Sequence, residues 1–218
     1  MRAPPYDLSV TDYARRERRD LADLLLRTGP DAPTLCAGWT TRDLAAHLVV
    51  RERRVDTMLA ALIPPLSGHT EHVRRLKAAQ PYAEVVSELR RPPWWSPLSN
   101  PLTDGVINGL EFFIHHEDVR RGAAGWVPRT LDAGQNRSLW TAVKFTARIG
   151  LRKLHLPVAV RAPGVGEVTV GGDQPQATIT GEPGELALFL SGRQRAARVE
   201  IDGSPETAER LRTARLGM

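Results

Sequence analysis

Through roughly the first 150 positions, apolar residues recur at three- and four-residue steps; beyond them the pattern shortens to alternating runs between Gly/Pro turns. Ala14, Leu21, Leu24 and Leu25 predict a helix from about Thr11 to Arg27, ended by Gly29-Pro30. A second helix follows Thr40, a capping residue with Asp43 three positions on, and runs to about Leu62 before Pro64-Pro65. A third covers His72 to Arg90 with a break at Pro81. After the stiff Pro92-Pro93-Trp94-Trp95 loop, a fourth spans about Leu102 to Arg121 and stops at Gly122. A fifth runs from Leu131 to about Lys153.

From residue 157 the reading changes to short strands at Pro157–Arg161, Glu167–Val170 and Ala177–Thr180. A helix with Pro183 near its start, a strand at Arg198–Ile201 and a last helix behind Ser204-Pro205 complete it. The expected fold is therefore mainly α: an up-down helical bundle over residues 1–155, followed by a small α+β module over 156–218.

The chemistry concentrates on the fourth helix. At about 100° per residue, Ile107, Glu111, Ile114, His115 and Asp118 share one stripe. A carboxylate and an imidazole among core isoleucines are costly unless something satisfies both, and a divalent cation does so. On the second helix, Leu44, His47, Leu48, Arg51, Val55, Met58 and Leu62 repeat at helical steps, so His47 also points inward. One His facing Glu-x-x-x-His is how bundles build metal sites, and three ligands of His2Glu type leave one zinc position open. The same pattern also suits a hydrogen-bonded core His and a surface Glu–His pair.

The rest of the composition narrows the classes. The chain has 218 residues, 41% hydrophobic, with a net charge of +5, yet its charges alternate: Arg15, Arg16, Arg18 and Arg19 are interleaved with Glu17 and Asp20. That reads as solvated helix faces of mixed sign, and no nucleic-acid partner is expected. No segment is apolar enough for a membrane span or a secretory signal, and the lone Cys36 cannot form an internal disulfide, so a cytoplasmic location is expected. Cys36 is weighed as a nucleophile, but no His or acid is placed beside it in a known arrangement, and it is expected to pack near the start of the second helix. The oligomeric state is left open.

Two motifs carry a family resemblance. CAGWTTRDLAAHL, from Cys36 to Leu48, and EFFIHHED, from Glu111 to Asp118, resemble the signatures of the mycothiol-dependent maleylpyruvate isomerase-like family, part of the DinB-like four-helix-bundle superfamily. GEPGELALFLSGR, from Gly181 to Arg193, is similar to its small C-terminal domain. The resemblance implies a metal, by preference zinc, held by His47, Glu111 and His115, with a low-molecular-weight thiol such as mycothiol at the open position. The Arg-rich composition, with only three Lys among 30 basic residues, fits an actinobacterial source, where mycothiol is the expected thiol. The doubled His115-His116 and the Pro-Pro-Trp-Trp loop depart from the family pattern, so the substrate need not be maleylpyruvate.

The expected function is a thiol-dependent transferase or isomerase acting on an electrophilic small molecule. Arg51 is expected to pair with Asp118 or Glu17, or to stabilise substrate charge. Asp118 is expected to orient a ligand imidazole. Trp39 and Trp94 are candidate walls of a substrate pocket, and Arg193 a further substrate-binding candidate. His116 is expected to be structural or to line the rim. The alternatives are a metal-dependent hydrolase, with Glu117 as base, and a non-catalytic sensor of a metal or small molecule.

Overall fold

The structure is a computed structural model that describes residues 10–54, 67–93 and 108–217. Among these are eight helices and one four-stranded sheet, divided into two compact units, residues 14–128 and residues 129–217 with the start of the first helix.

The first unit holds most of α1 (Val10–Thr28), then α2 (Thr41–Arg53), α3 (Ser67–Ala78), α4 (Tyr82–Arg90) and α5 (Gly109–Arg120). Leu21 and Leu25 of α1, Leu44 and Leu48 of α2, Val86 and Leu89 of α4, and Phe112 of α5 close into one core. The start of α2 is fixed as its sequence implies: Asp43 Oδ2 accepts from the Thr40 backbone N–H and from its hydroxyl, both at 3.0 Å. Its end is not where the stripe places it. The helix stops at Arg53 with Arg54 extended, and the Arg53 guanidinium donates instead to the Arg91 carbonyl, 2.9 Å away, at the end of α4. Val55, Met58 and Leu62, like Ile107 of the other stripe, lie outside the described residues. The break expected at Pro81 is present, between α3 and α4.

The mixed charges of α1 are not all a solvated face. Glu17 and Arg18 are each only 4% exposed. They are tolerated because each meets a partner from another helix. Arg18 forks onto both carboxylate oxygens of buried Glu52 at 2.7 and 2.5 Å, and Glu17 Oε1 lies 2.7 Å from His116 Nδ1.

The second unit begins with α6 (Ala133–Arg152), capped by the Asp132 side chain, which accepts from the Gln135 N–H. It continues with β1 (Val158–Ala162), β2 (Gly166–Val170), β3 (Ala177–Thr180), α7 (Pro183–Leu190), β4 (Glu200–Gly203) and α8 (Pro205–Thr213). The sheet order is β2-β1-β3-β4; β1 runs antiparallel to β2 and parallel to β3, with Val160 opposite both Val168 and Ile179. The helix between β3 and β4 and the capped start of α8 match the predicted ββ-β-α-β-α order. By its contacts, α6 groups with this sheet, whereas the change of texture in the sequence suggested a boundary near 155. Gly166 is fixed by packing: a Cβ there would sit 2.7 Å from Trp140 Nε1. No helix among the described residues is long and apolar enough to cross a membrane.

Candidate functional site

Helix α5 is buried on nearly every side, from Phe112 to Val119, so its polar residues must be satisfied within the protein. Each one meets a partner. His116 takes Glu17, in agreement with a structural role. Glu117 accepts from Arg120 at 2.8 Å and from buried Arg121 at 2.6 Å. That corrects its candidacy as a hydrolytic base: a fully buried carboxylate engaged by two guanidiniums is not accessible to a water or a substrate.

His115 stands at the centre of what remains. Its Nε2 is 3.2 Å from Glu111 Oε1, which in turn is 3.4 Å from His47 Nε2 on α2. The two imidazoles meet edge-on with centroids 5.2 Å apart. His47, Glu111 and His115 thus offer three ligand atoms within 4.8 Å of one another. On its other side, His115 Nδ1 is 2.8 Å from Asp118 Oδ2. An ionised carboxylate only accepts, so Nδ1 carries the proton and Nε2 faces the cluster.

The electrostatics separate the two histidines. Burial alone would strip the proton from His115, but bonds to Asp118, Cys36 and Glu111 outweigh it and raise its pKa well above the ordinary value. Burial lowers the pKa of His47, and the charges of His115 and Arg51 act in the same direction, against the Glu111 hydrogen bond. Burial pushes the Glu111 carboxyl up, yet hydrogen bonds from His115 and His47, with the His115 and Arg51 charges, hold it well below the usual carboxylate range. Glu111 is thereby held toward its ionised form, and of the two imidazoles facing it His115 is the more basic.

The loop before α2 completes the surroundings, and here the sequence reading is corrected. Cys36 does have an acid and a His beside it: its Sγ lies 3.2 Å from Asp118 Oδ2, and Cys36, His115 and Asp118 form a second group of potential ligand atoms within 4.8 Å. The loop is tied to α5 by the Leu35 N–H, which donates to the Asp118 carbonyl at 3.0 Å. Gly122 permits that approach. It is more than a helix stop, since a Cβ there would lie 2.8 Å from Thr34 Cα. Gly122→Ala should therefore displace the loop and destabilise the protein by about 1–3 kcal/mol in chemical denaturation, the usual cost of overpacking. An unchanged unfolding midpoint would mean that the loop has slack.

Trp39 is placed against the cluster. Its ring lies 5.2 Å from that of His47, and the Arg74 guanidinium covers it at 4.8 Å. Arg74 is held by Glu71 and by Asp43, the same carboxylate that caps α2, so the start of that helix and the position of Trp39 are mechanically linked. Arg51 meets neither of the carboxylates expected for it. Asp118 serves His115 and Glu17 serves His116, and Arg51 instead donates to Asn108 Oδ1 at 2.7 Å with its Nε 3.5 Å from Glu111. Asn108, buried at the start of α5, gave no signal in the sequence. Trp94 lies outside the described residues. Arg193 belongs to the second unit, where it donates to the Ser191 carbonyl at 2.6 Å.

Comparison with known proteins adds an independent line. Residues 12–94 match the family model described as the mycothiol maleylpyruvate isomerase N-terminal domain. That stretch includes Cys36, Trp39, His47 and Arg51 and ends before Glu111. A solved structure described as the crystal structure of the mycothiol-dependent maleylpyruvate isomerase superposes with a TM-score of 0.60. The match covers 92% of this chain and 96% of that one at 14% identity, a likeness of fold. No curated protein matches the sequence. A helical domain followed by a small C-terminal α+β module, as expected from the sequence, is the fold observed.

Proposed function

We propose that this chain, whose residues 12–94 carry the mycothiol maleylpyruvate isomerase N-terminal domain, is a mycothiol-dependent transferase or isomerase with a divalent metal at His47, Glu111 and His115. The observation that carries the reading is the spacing of those ligand atoms. Bonds of 2.0–2.1 Å to zinc at tetrahedral angles put neighbouring ligands about 3.3 Å apart. Glu111 Oε1 lies 3.2 and 3.4 Å from the two imidazole nitrogens, and all three atoms lie within 4.8 Å of one another. The group of Cys36, His115 and Asp118 fits less well, because its 2.8 Å Nδ1···Oδ2 separation is well short of that tetrahedral spacing.

A divalent cation in this position would supply the positive charge that favours a thiolate over a thiol near neutral pH. The chain's own residues do the rest. Asp118 keeps the proton on His115 Nδ1 and so keeps the Nε2 lone pair directed at the cluster. Trp39 gives an apolar wall beside His47. Arg51, only half-buried and anchored by Asn108, offers a fixed positive charge for an anionic substrate group, moderated by Glu111 beside it.

The test is spectroscopic. Mycothiol added to the cobalt-substituted protein should produce a sulfur-to-metal charge-transfer band whose pH midpoint falls well below the ~8.5 of a free thiol. Cys36→Ser should retain the band, which separates the added thiol from the protein's own. If no small thiol gives a band and an ester or amide is hydrolysed with metal dependence, thiol chemistry is ruled out.

A further inference from the structure

We infer that Cys36 is a positioning residue for His115, acting on Asp118 as well as on the imidazole itself, and not as a nucleophile or a ligand. The thiol and the imidazole converge on one oxygen: Asp118 Oδ2 lies 3.2 Å from Cys36 Sγ and 2.8 Å from His115 Nδ1. Asp118 is fully buried, so its carboxylate has protein groups in place of water as hydrogen-bond donors. With the S–H directed at Oδ2, the carboxylate is held in the rotamer that accepts from Nδ1.

The loop is built to deliver that thiol. The Leu35 N–H donates to the Asp118 carbonyl at 3.0 Å, so the residue before Cys36 is fastened to the backbone of the residue that Cys36 serves. Thr34 Oγ1 accepts from the Cys36 N–H at 3.2 Å and donates to the Trp39 carbonyl at 2.9 Å, and the Trp39 N–H donates to the Cys36 carbonyl at 2.9 Å. The tight turn fixes Cys36 from both sides and places Trp39 against His47 in the same stroke. A thiol held as a donor in this way is a poor candidate for a nucleophile. An S–H is also a weak donor, so it fixes the orientation of Asp118 without competing strongly with His115 for the carboxylate.

The inference deepens the proposed function and rests on it for one of two readouts. The first needs no metal: the His115 Nδ1–H should give a downfield proton resonance with slow solvent exchange. Cys36→Ala should speed that exchange by about tenfold, and Cys36→Ser, which keeps a donor, should stay within about threefold of the parent protein. The second is zinc affinity, which should fall by about tenfold in Cys36→Ala and by much less in Cys36→Ser. Equal losses in both variants would assign the effect to packing, and no change in either would remove the role altogether; both outcomes overturn the inference. If Cys36→Ala does not fold, the serine variant alone decides, because exchange and affinity both far from the parent's would exclude a donor role. A parent protein that binds no zinc would sink the metal reading, while the exchange measurement would still judge Cys36.

Discussion

His115→Ala should cost the protein at least two orders of magnitude in zinc affinity, while His116→Ala leaves affinity unchanged. The two residues are neighbours in sequence and equally buried, so the contrast tests geometry rather than burial. His115 points Nε2 at Glu111 and His47, whereas His116 is committed to Glu17 at 2.7 Å. The pH dependence of the parent protein should carry the same signature. Glu111, held well below the usual carboxylate range, and His47, lowered, do not bind competing protons near neutrality. His115, raised well above the ordinary value, does. Zinc must displace that one proton, so affinity should rise with pH by about one decade per unit until the raised His115 pKa is passed, then level off. Equilibrium competition with a chromophoric chelator between pH 6 and 9 checks the slope. A flat profile, or equal loss from His116→Ala, would place the metal elsewhere.

The parts legible in the sequence are those that periodicity governs. His47 on α2 lies three positions from buried Leu44, Glu111 on α5 lies three from buried Ile114 and four from His115, and repeating apolar positions tell which way a helix faces. The stripe argument was still too narrow for α5, which is buried almost all round; its polar residues are hidden in pairs, and pairing partners are distant in sequence. Arg18 and Glu52 are 34 residues apart, Cys36 and Asp118 are 82, and His116 and Glu17 are 99. A run such as Arg15 to Asp20 looks the same whether its charges are solvated or matched across helices. The neighbours of Cys36 were missed for a related reason. A loop residue has no period, and its neighbours are set by the Leu35–Asp118 backbone bond and the bare surface of Gly122. The termination of α2 at Arg53 gave no warning in composition either, since the apolar stripe continues past it.

Arg18→Met should destabilise the protein by about 3–5 kcal/mol, the cost of leaving a buried carboxylate without its partner. Arg18 ties together four helices of the first unit. From α1, the guanidinium forks onto Glu52 of α2, donates to the Leu89 carbonyl of α4 at 3.2 Å, and lies 4.4 Å from the centre of the Phe112 ring on α5. Phe112 follows Glu111 directly, so the packing that Arg18 organises sits one residue from the His47–Glu111–His115 cluster. Loss of the cation should therefore loosen α2 against α5 and weaken metal retention as well as stability. The double variant Arg18→Met/Glu52→Met separates the causes. With neither charge buried it should regain most of the stability, because burying an ion pair is itself costly and apolar side chains of similar volume fill the space. Denaturant unfolding of the single and double variants measures this directly. Recovery of stability without recovery of zinc affinity would show that the ion pair sets the register of α2 against α5, and recovery of both would show that filling the space is enough.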